Sequence, residues 1–358
     1  MPEFLVPGVY VQEISTGLSP IEGVSTSIAG FVGIGQITNP PALITSLADF
    51  ERSVANPSSN FFQAVRGFFS NGGKRGYVAG ISGKNTVQSA LDALAGTKIS
   101  LLASPDQDQF PGAAAAMTSY CEQRKDCFCI LQSPQATLSQ PPAELVHSDF
   151  AAYYGPWIKI EAFTGNATVD IPPCGHIAGT YAQTDSHRGV QAMPANTPLT
   201  LALDVSQVID PVTAERFTSQ GVNVIVKIPG RGTLSQTAVT TSTHAEWKYV
   251  NVRRLLIFLE QSLIQGLQWT VFEPNTPTLW ARARLVVEEF LRMLWTKKIF
   301  AGNTTKEAFF VRCGTNTMTQ NDIDSGRMVI IVGVAPLKPA EFVVIEITSV
   351  SGKSPTKP

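Results

Sequence analysis

Apolar residues in the first two thirds of the chain form short continuous runs separated by polar turns. The runs contain many β-branched residues and are bounded by glycine, proline or asparagine, which is typical of strands buried on both faces. Glycines inside such a run favour close approach of neighbouring backbone. We therefore predict core strands at 28–35, 76–80 and 221–228, and the apolar stripe of a helix at 60–70.

The clearest unit of this pattern lies between residues 98 and 134. A short apolar strand at 99–105 precedes a segment of helical character at 110–124, and a second apolar run follows at 127–131. A strand, a helix and a strand in this order predict a βαβ unit. Such units form parallel sheets that helices cover on both faces.

The periodicity changes in the last third of the chain. Apolar positions recur at helical spacing in two segments, 250–265 and 278–297, with Thr278 as the expected cap of the second. We expect a strand at 269–272 between them and mostly strands from 308 to 347. Residues 231–246 are rich in threonine and serine and predict a loop at a domain boundary.

These patterns predict an α/β (α+β) protein in four parts. Residues 1–25 form an extended N-terminal arm, and 26–246 form an α/β domain with βαβ units. Residues 247–338 form a C-terminal α+β domain, and 339–358 form a C-terminal strand arm. The chain is long enough for two or three domains with a sizeable core.

Both arms carry the pattern of short strands. Their apolar positions are Val9, Tyr10, Val11 and Ile14 near the N-terminus and Phe342, Val343, Val344, Ile345 and Ile347 near the C-terminus. A strand at a chain end has few local partners, and its unpaired N–H and C=O groups recruit another strand. The pattern leaves two alternatives open, pairing within the same subunit and pairing with a neighbouring subunit.

Composition favours an assembled protein. Only 15% of the residues are charged, whereas roughly 25% is typical of soluble domains, so we expect much of the surface to be covered by other subunits. The net charge of −1 gives no reason to expect a nucleic-acid partner. No apolar run approaches the ~20 residues of a membrane span, and residues 1–4 do not begin a secretory signal, so we expect no membrane insertion.

The cysteines and histidines do not have the spacing of a metal site. Cys127-x-Cys129 lies in an apolar run, and Cys174-x-His176 has no third and fourth ligand nearby. We expect buried thiols, a structural loop around 174–176, and neither metal nor cofactor. The five cysteines are Cys121, Cys127, Cys129, Cys174 and Cys313.

Enzyme motifs are equally weak. The four histidines lie in predicted loops without a nucleophile elbow, and the polar sequence at 185–188 is explained by a short turn. Gly33-x-Gly35 and the glycines at 72–76 lack the spacing of nucleotide-binding loops. We expect no enzyme, but two alternatives stay open. One is an α/β enzyme with an unrecognised site, which would need an apolar pocket with convergent titrating groups. The other is an adhesin or capsid-like structural protein.

The predicted helix at 278–297 and the residues just after it are basic. They carry Arg282, Arg284, Arg292, Lys297 and Lys298. A solvated face is the ordinary explanation of such charges. In a chain with so few charges, the same face could dock an acidic partner, where charges set register and encounter rate.

Several segments in the same order resemble contractile tail sheath proteins of myophages, R-type tailocins and phage-derived injection systems. The strongest is Trp247-Lys248-Tyr249-Val250-Asn251-Val252-Arg253-Arg254-Leu255. The others are 7–13, 20–27, 171–179, 188–196, 272–275, 279–280, 290–291, 308–313 and 339–342. Two stretches depart from the family pattern: 189–194 has no Trp-Lys before its proline, and 233–241 lacks a Trp-Gly-Ala-Arg-like sequence.

The resemblance implies a structural subunit that polymerises as a six-fold helical sheath around an inner tube. It implies that 26–246 faces outward, that 247–338 faces the tube through the basic helix, and that both arms pair with neighbours. It also implies contraction from a metastable extended state, which drives the tube through a target membrane. The short chain favours an injection-system sheath over the alternative, a myophage virion tail.

The implied partners are other copies of the chain, the inner tube protein, baseplate and terminal cap proteins, and sister sheath proteins. The implied place of synthesis and assembly is the bacterial cytoplasm, as part of a phage-tail-like particle or a virion tail. No nucleotide or metal is needed, since the energy comes from two alternative packings of the subunits.

Overall fold

A computed structural model describes residues 20–37, 41–52, 56, 58–82, 86–135, 138, 145–271 and 273–338. Within these residues the strands are β1 (Ala29–Ile34), β2 (Ala42–Ile44), β3 (Gly76–Ile81), β4 (Leu101–Ala103), β5 (Phe128–Gln132), β6 (Ala151–Gly155), β7 (Ile158–Glu161), β8 (Thr168–Ile171), β9 (Ala202–Val205), β10 (Val222–Ile228), β11 (Gly232–Ser235), β12 (Phe309–Cys313) and β13 (Ile330–Val334). The helices are α1 (Leu47–Glu51), α2 (Asn60–Ser70), α3 (Val87–Leu94), α4 (Ala113–Arg124), α5 (Cys174–Arg188), α6 (Pro211–Ser219), α7 (Val250–Gly266), α8 (Pro277–Thr296), α9 (Thr305–Ala308) and α10 (Gln320–Asp324).

The larger part of the molecule is built on an eight-stranded sheet of order β11-β10-β6-β5-β4-β1-β3-β2. Neighbouring strands from β3 to β10 are parallel, and the short edge strands β2 and β11 are antiparallel. In the predicted βαβ unit, β4 and β5 pair in parallel with Leu101 opposite Phe128, and α4 connects them. The mixed α/β fold is confirmed, and the strands have nearly the predicted bounds.

Helices cover both faces of this sheet, which explains the continuous apolar runs. Successive residues of a strand point to opposite faces. On β1, the ring of Phe31 lies 5.4 Å from that of Phe68 on α2. A Cβ built on the next residue back, Gly30, would meet Leu94 of α3. The strand is therefore buried between two helical layers.

The C-terminal part has a separate core between α7, α8 and a two-stranded antiparallel sheet of β12 and β13. Helix α8 begins at Pro277, because the side chain of Thr276 accepts a hydrogen bond from the Leu279 amide. The predicted cap at Thr278 was two residues too late. Leu255 of α7 and Leu291 of α8 are both buried in this core.

Several local predictions were wrong. Residues 231–246 are not only a loop, because Gly232–Ser235 forms β11 against β10. Pairing with β10 stabilises this strand, in which Thr233, Leu234 and Ser235 are buried. The expected strand at 269–272 is instead a 3₁₀ turn at Gln268–Thr270, which directly follows α7. Phe272 lies outside the described residues.

The polar sequence at 185–188 and two of the four histidines, His176 and His187, were predicted in loops but lie in a helix, whereas His147 and His244 lie outside helices and strands, as predicted. Cys174 and His176 lie in the first turns of α5, and 185–188 forms its last turn. Pro172 and Pro173 indicated a loop, but a proline is compatible with the start of a helix. The small residues of α5 allow it to pack closely on α2, where Gly175 lies against the backbone of Ala64.

Candidate assembly surfaces

The predicted strand residues of both arms, from Val9 to Ile14 and from Phe342 to Ile347, lie outside the described residues. The first described residue is Pro20 and the last is Lys338. The predicted strand pairing of the arms stays a prediction.

The sheet formed by β12 and β13 is incomplete within the described residues. Only two strands form it, paired from Phe309 opposite Val334 to Cys313 opposite Ile330. One face packs on α8 through alternate residues such as Val311 and Val332. A two-stranded sheet is marginal by itself, and its open edges are templates for further strands.

The other face of this small sheet is apolar and exposed. Phe310 is 46% exposed and Ile331 is 43% exposed. The ring of Phe310 lies over Gly333 on the paired strand, and the Arg312 guanidinium lies 4.9 Å from the centre of that ring. A large apolar surface on a soluble subunit marks a contact with another chain.

The basic residues on and after α8 do not form one surface. Arg282 lies 5.0 Å from the ring of Trp269, and Lys298, just past the end of the helix, lies 5.9 Å from the ring of Trp295. Lys297 is exposed at the C-cap of the helix. The five predicted basic residues therefore fall into two groups. Arg282 and Lys298 lie over tryptophan rings, and the others lie on the solvent-exposed face of α8 or at its end, which we call the open face.

The open face of α8 is mixed in charge. Arg284 and Arg292 are exposed, and the Arg284 guanidinium lies 3.8 Å from the Glu288 carboxylate in an i, i+4 pair. Leu285 and Met293 are 47% and 41% exposed on the same face. Such a face offers an apolar contact as well as charges, and the sequence had not indicated its exposed apolar residues.

Two adjacent arginines of α7, absent from the predicted site residues, join the two parts of the subunit. Arg253 stacks on the ring of Phe150 at 3.9 Å and lies 3.5 Å from the Asp149 carboxylate, just before β6. Arg254 forms a two-point ion pair with Asp185 of α5, at 3.0 and 2.6 Å.

The Arg254–Asp185 pair is buried, with the two side chains only 3% and 5% exposed. Thr26 completes it, since its hydroxyl donates to Asp185 at 2.6 Å and its carbonyl accepts from Arg254 at 2.8 Å. The Arg254 guanidinium also lies 4.8 Å from the centre of the Tyr181 ring. In the sequence, this junction is indicated by Arg253 and Arg254, which interrupt the apolar pattern of α7. Charged residues at buried positions need partners.

The five cysteines and His176, considered for a metal site, are buried, whereas His147, His187 and His244 are exposed. All five cysteines are free and buried, as predicted. Burial raises the pKa of the thiols of Cys121, Cys174 and Cys313, and the hydrogen bond with Cys121 together with burial raises the pKa of Cys127, so these thiols stay protonated. Burial also lowers the pKa of His176 to about 3. Among the described residues, no group of three or more His, Cys, Asp or Glu side chains could hold a metal ion.

A surface cleft of about 500 Å³ lies beside β10 and includes His147 and His244 in its lining. His147 Nδ1 is 3.0 Å from the Thr241 carbonyl oxygen. The described lining contains no carboxylate and no thiol that could act with these histidines. None of the helices in the described ranges has the length and apolar content needed to cross a membrane.

Two family models match most of the chain. The phage tail sheath protein central domain matches residues 79–241, and the phage tail sheath C-terminal domain matches residues 242–349. A search of curated protein sequences gives no match.

Solved structures match almost the whole length. The helical sheath of the anti-feeding prophage (AFP) in its contracted state is 31% identical, with a TM-score of 0.83, over 96% of this chain and 99% of the other. The contracted sheath complex of PVC, an extracellular contractile injection system, is 27% identical, with a TM-score of 0.83, over 98% and 99%.

A sheath tail protein from Listeria innocua is 10% identical, with a TM-score of 0.63, over 87% of this chain and 96% of the other, and this likeness concerns the fold alone. The predicted fold class and the predicted resemblance are both confirmed. With both family models matched in order and a 31% identical relative covered almost completely, the chain belongs to the phage tail sheath protein family.

Proposed function

We propose that this chain is the sheath subunit of a phage-tail-like contractile injection system. The observation that carries the proposal is the likeness to contracted AFP and PVC sheaths over nearly the full length, at 31% and 27% identity. The PVC relative is named as an extracellular contractile injection system, which favours an injection system over a virion tail.

In this proposal, subunits form six-fold rings around an inner tube in an extended state of higher free energy. Contraction lets them dock in a second packing and drives the tube through a target membrane. A lattice with two stable packings supplies this energy without nucleotide or metal. Other partners are baseplate and terminal cap proteins and sister sheath proteins, and assembly occurs in the bacterial cytoplasm.

The arms connect neighbouring subunits by adding strands to the sheet of β12 and β13. Support comes from the two open edges of this sheet and from the exposed apolar residues Phe310 and Ile331. Strand addition gains affinity from main-chain hydrogen bonds, so it can persist while the rest of each subunit moves.

The arm proposal is tested by removing residues 339–358 from the full chain. We expect a soluble, folded monomer, because the subunit keeps both cores but loses one connecting strand. Negative-stain images and sedimentation distinguish monomers from sheaths. A matched, longer variant that ends at residue 350 retains Phe342 to Ile347 and is expected to form sheaths. Sheaths formed by the shorter chain would contradict the strand connection.

The tube contact in this proposal is the open face of α8, with Arg284 and Arg292 as its cations and Leu285 and Met293 as its apolar centre. Their exposure supports this assignment. Arg282 and Lys298, which lie over tryptophan rings, have a smaller role, and Lys297 lies at the edge of the face.

Charge reversal tests this contact. In Arg284→Glu/Arg292→Glu we expect fewer tube-filled sheaths in electron micrographs, with the subunit still folded, because both side chains are exposed. The control is Arg216→Glu on α6, a basic residue on the large domain. Unchanged numbers of tube-filled particles in the double variant would exclude this face as the tube contact.

A further inference from the structure

Residues 20–28, which lead from the N-terminal arm into β1, run along α7 in the opposite direction to the helix. Ile21 packs on Gly266 at the end of α7, where any Cβ would come within 2.5 Å of it. The Val24 amide donates to the Ser262 hydroxyl at 3.1 Å, one turn earlier in the helix. Ser262 itself is completely buried. The helix therefore holds the start of the described chain by side-chain and backbone contacts.

The same segment is fixed again in the second turn of α7, near the start of the helix. Arg254 donates to the Thr26 carbonyl at 2.8 Å while it pairs with Asp185. The helix covers about 18 Å between Arg254 and Gly266, close to the reach of the five extended residues that separate Ile21 from Thr26. The lead-in therefore follows the helix with little slack.

The C-terminal exit is fixed at the other end of α7. The Asn251 side-chain amide donates to the Leu337 carbonyl at 3.2 Å and to the Gln191 carbonyl at 2.9 Å. Just before this point, the Ala335 carbonyl accepts from the Ala301 amide at 2.9 Å. Asn251 is only 3% exposed, so these bonds are shielded from water.

We propose that α7 carries tension between the two arms of one subunit. Ser262 and Arg254 hold the N-terminal root, and Asn251 holds the C-terminal root. From Asn251 to Gly266, where Ile21 packs, the helix is about 22 Å long. This inference rests on the proposed function, in which neighbours pull on both arms.

The physical reason is the position of β1. This strand lies in the middle of the eight-stranded sheet and begins three residues after Thr26. A pull on Pro20 without the contacts to α7 would peel β1 from its neighbours. With these contacts, the pull passes into α7 before it reaches β1. From α7 it continues to the C-terminal root and, through the Arg254–Asp185 pair, to α5.

The first test uses the isolated full-length subunit and hydrogen exchange. In Ser262→Ala the Val24 amide loses its acceptor, so we expect its exchange to rise by roughly tenfold, the effect of losing about one hydrogen bond. Glu260→Ala is the control, because Glu260 is exposed on the same helix and contacts neither root. Unchanged exchange at Val24 would overturn the inference.

The second test uses sheaths assembled from full-length chains and broken by shear. For Ser262→Ala/Asn251→Ala we expect a median sheath length roughly half that of the wild type, since forced rupture depends on the opening rate. Glu260→Ala sheaths are expected to keep the wild-type length. If the double variant shows faster exchange at the Val24 amide but its sheaths keep the wild-type length after shear, this inference alone is overturned. Failure of the wild-type chain to form any sheath would overturn the proposed function as well.

Discussion

The eight-stranded sheet and the two-stranded sheet of this subunit differ in how much of their surface the subunit itself covers. Around the large sheet, Phe31 and Phe68 are fully buried beneath helices. On the small sheet, Phe310 and Ile331 are more than 40% exposed, and no third described strand joins either edge. The large sheet is covered by helices of its own chain, and we call its domain the complete domain. The small sheet has open edges among the described residues, and the proposed strand exchange would act there.

The largest expected effect on stability is in the complete domain. Phe68→Ala removes a fully buried ring that contacts Phe31 at 5.4 Å. We expect the free energy of unfolding to fall by about 3–5 kcal/mol, from lost burial and the cavity left behind. Urea denaturation of the monomer measures this change. A loss below about 1 kcal/mol would mean that the helical layer repacks and that the large domain is not rigidly packed around this ring.

The junction between the two regions is the next most sensitive point. Asp185→Asn leaves the Arg254 guanidinium buried without its counter-charge, and breaking such a pair typically costs about 3–5 kcal/mol. Asp149→Asn is the matched control. It removes the partner of Arg253, but Asp149 is more exposed, at 28%, and the 3.5 Å contact is longer. If urea denaturation shows the same loss of unfolding free energy for Asp185→Asn and Asp149→Asn, the buried pair has no special role.

A third prediction concerns acid. Both ring nitrogens of His176 are buried without a hydrogen-bond partner in the described chain. Burial, with the nearby Arg66 charge, lowers its pKa from 6.5 to about 3. Below pH 6.5 the unfolded chain binds a proton that the folded chain does not, so stability falls as the pH is lowered.

At pH 4.5 the lowered pKa of His176 removes about 3 kcal/mol of stability, two pH units at about 1.4 kcal/mol each. The measurement is the free energy of unfolding at pH 7 and pH 4.5 for the wild type and for His176→Met. Carboxylates contribute equally to both proteins, so the difference between their pH slopes isolates His176. Identical slopes would show that the histidine is protonated in the folded state or open to water.

The secondary structure of the complete domain was predicted well from the sequence, because each strand and helix is indicated by residues within that segment. Continuous apolar runs and turn residues gave β1, β3 and the βαβ unit around α4 with errors of one to three residues. Strand β11 was missed, since Gly232–Ser235 is polar and is stabilised by pairing with β10. Its buried threonine and serine look like a loop when pairing is unknown.

The assembly surfaces could be predicted only in part. Basic residues on α8 were visible in the sequence, but the stacking of Arg282 on Trp269 depends on the turn that replaced the expected strand. The junction of Arg254 with Asp185 and Thr26 joins residues up to 228 positions apart. No local pattern specifies such a contact.

The smallest effect on the monomer is expected on the small sheet. Phe310→Thr exchanges a half-exposed ring for a polar side chain that also favours strands, so the free energy of unfolding should change by less than about 1 kcal/mol. If the sheet is completed by arms from neighbours, the same change removes apolar contact from every connection, and sheath yield should fall well below that of the wild type. Urea denaturation of the monomer and particle counts from electron micrographs give the two values. A large loss of monomer stability with an unchanged yield of sheaths would reverse the comparison, because the exposed face would then belong to the subunit's own fold.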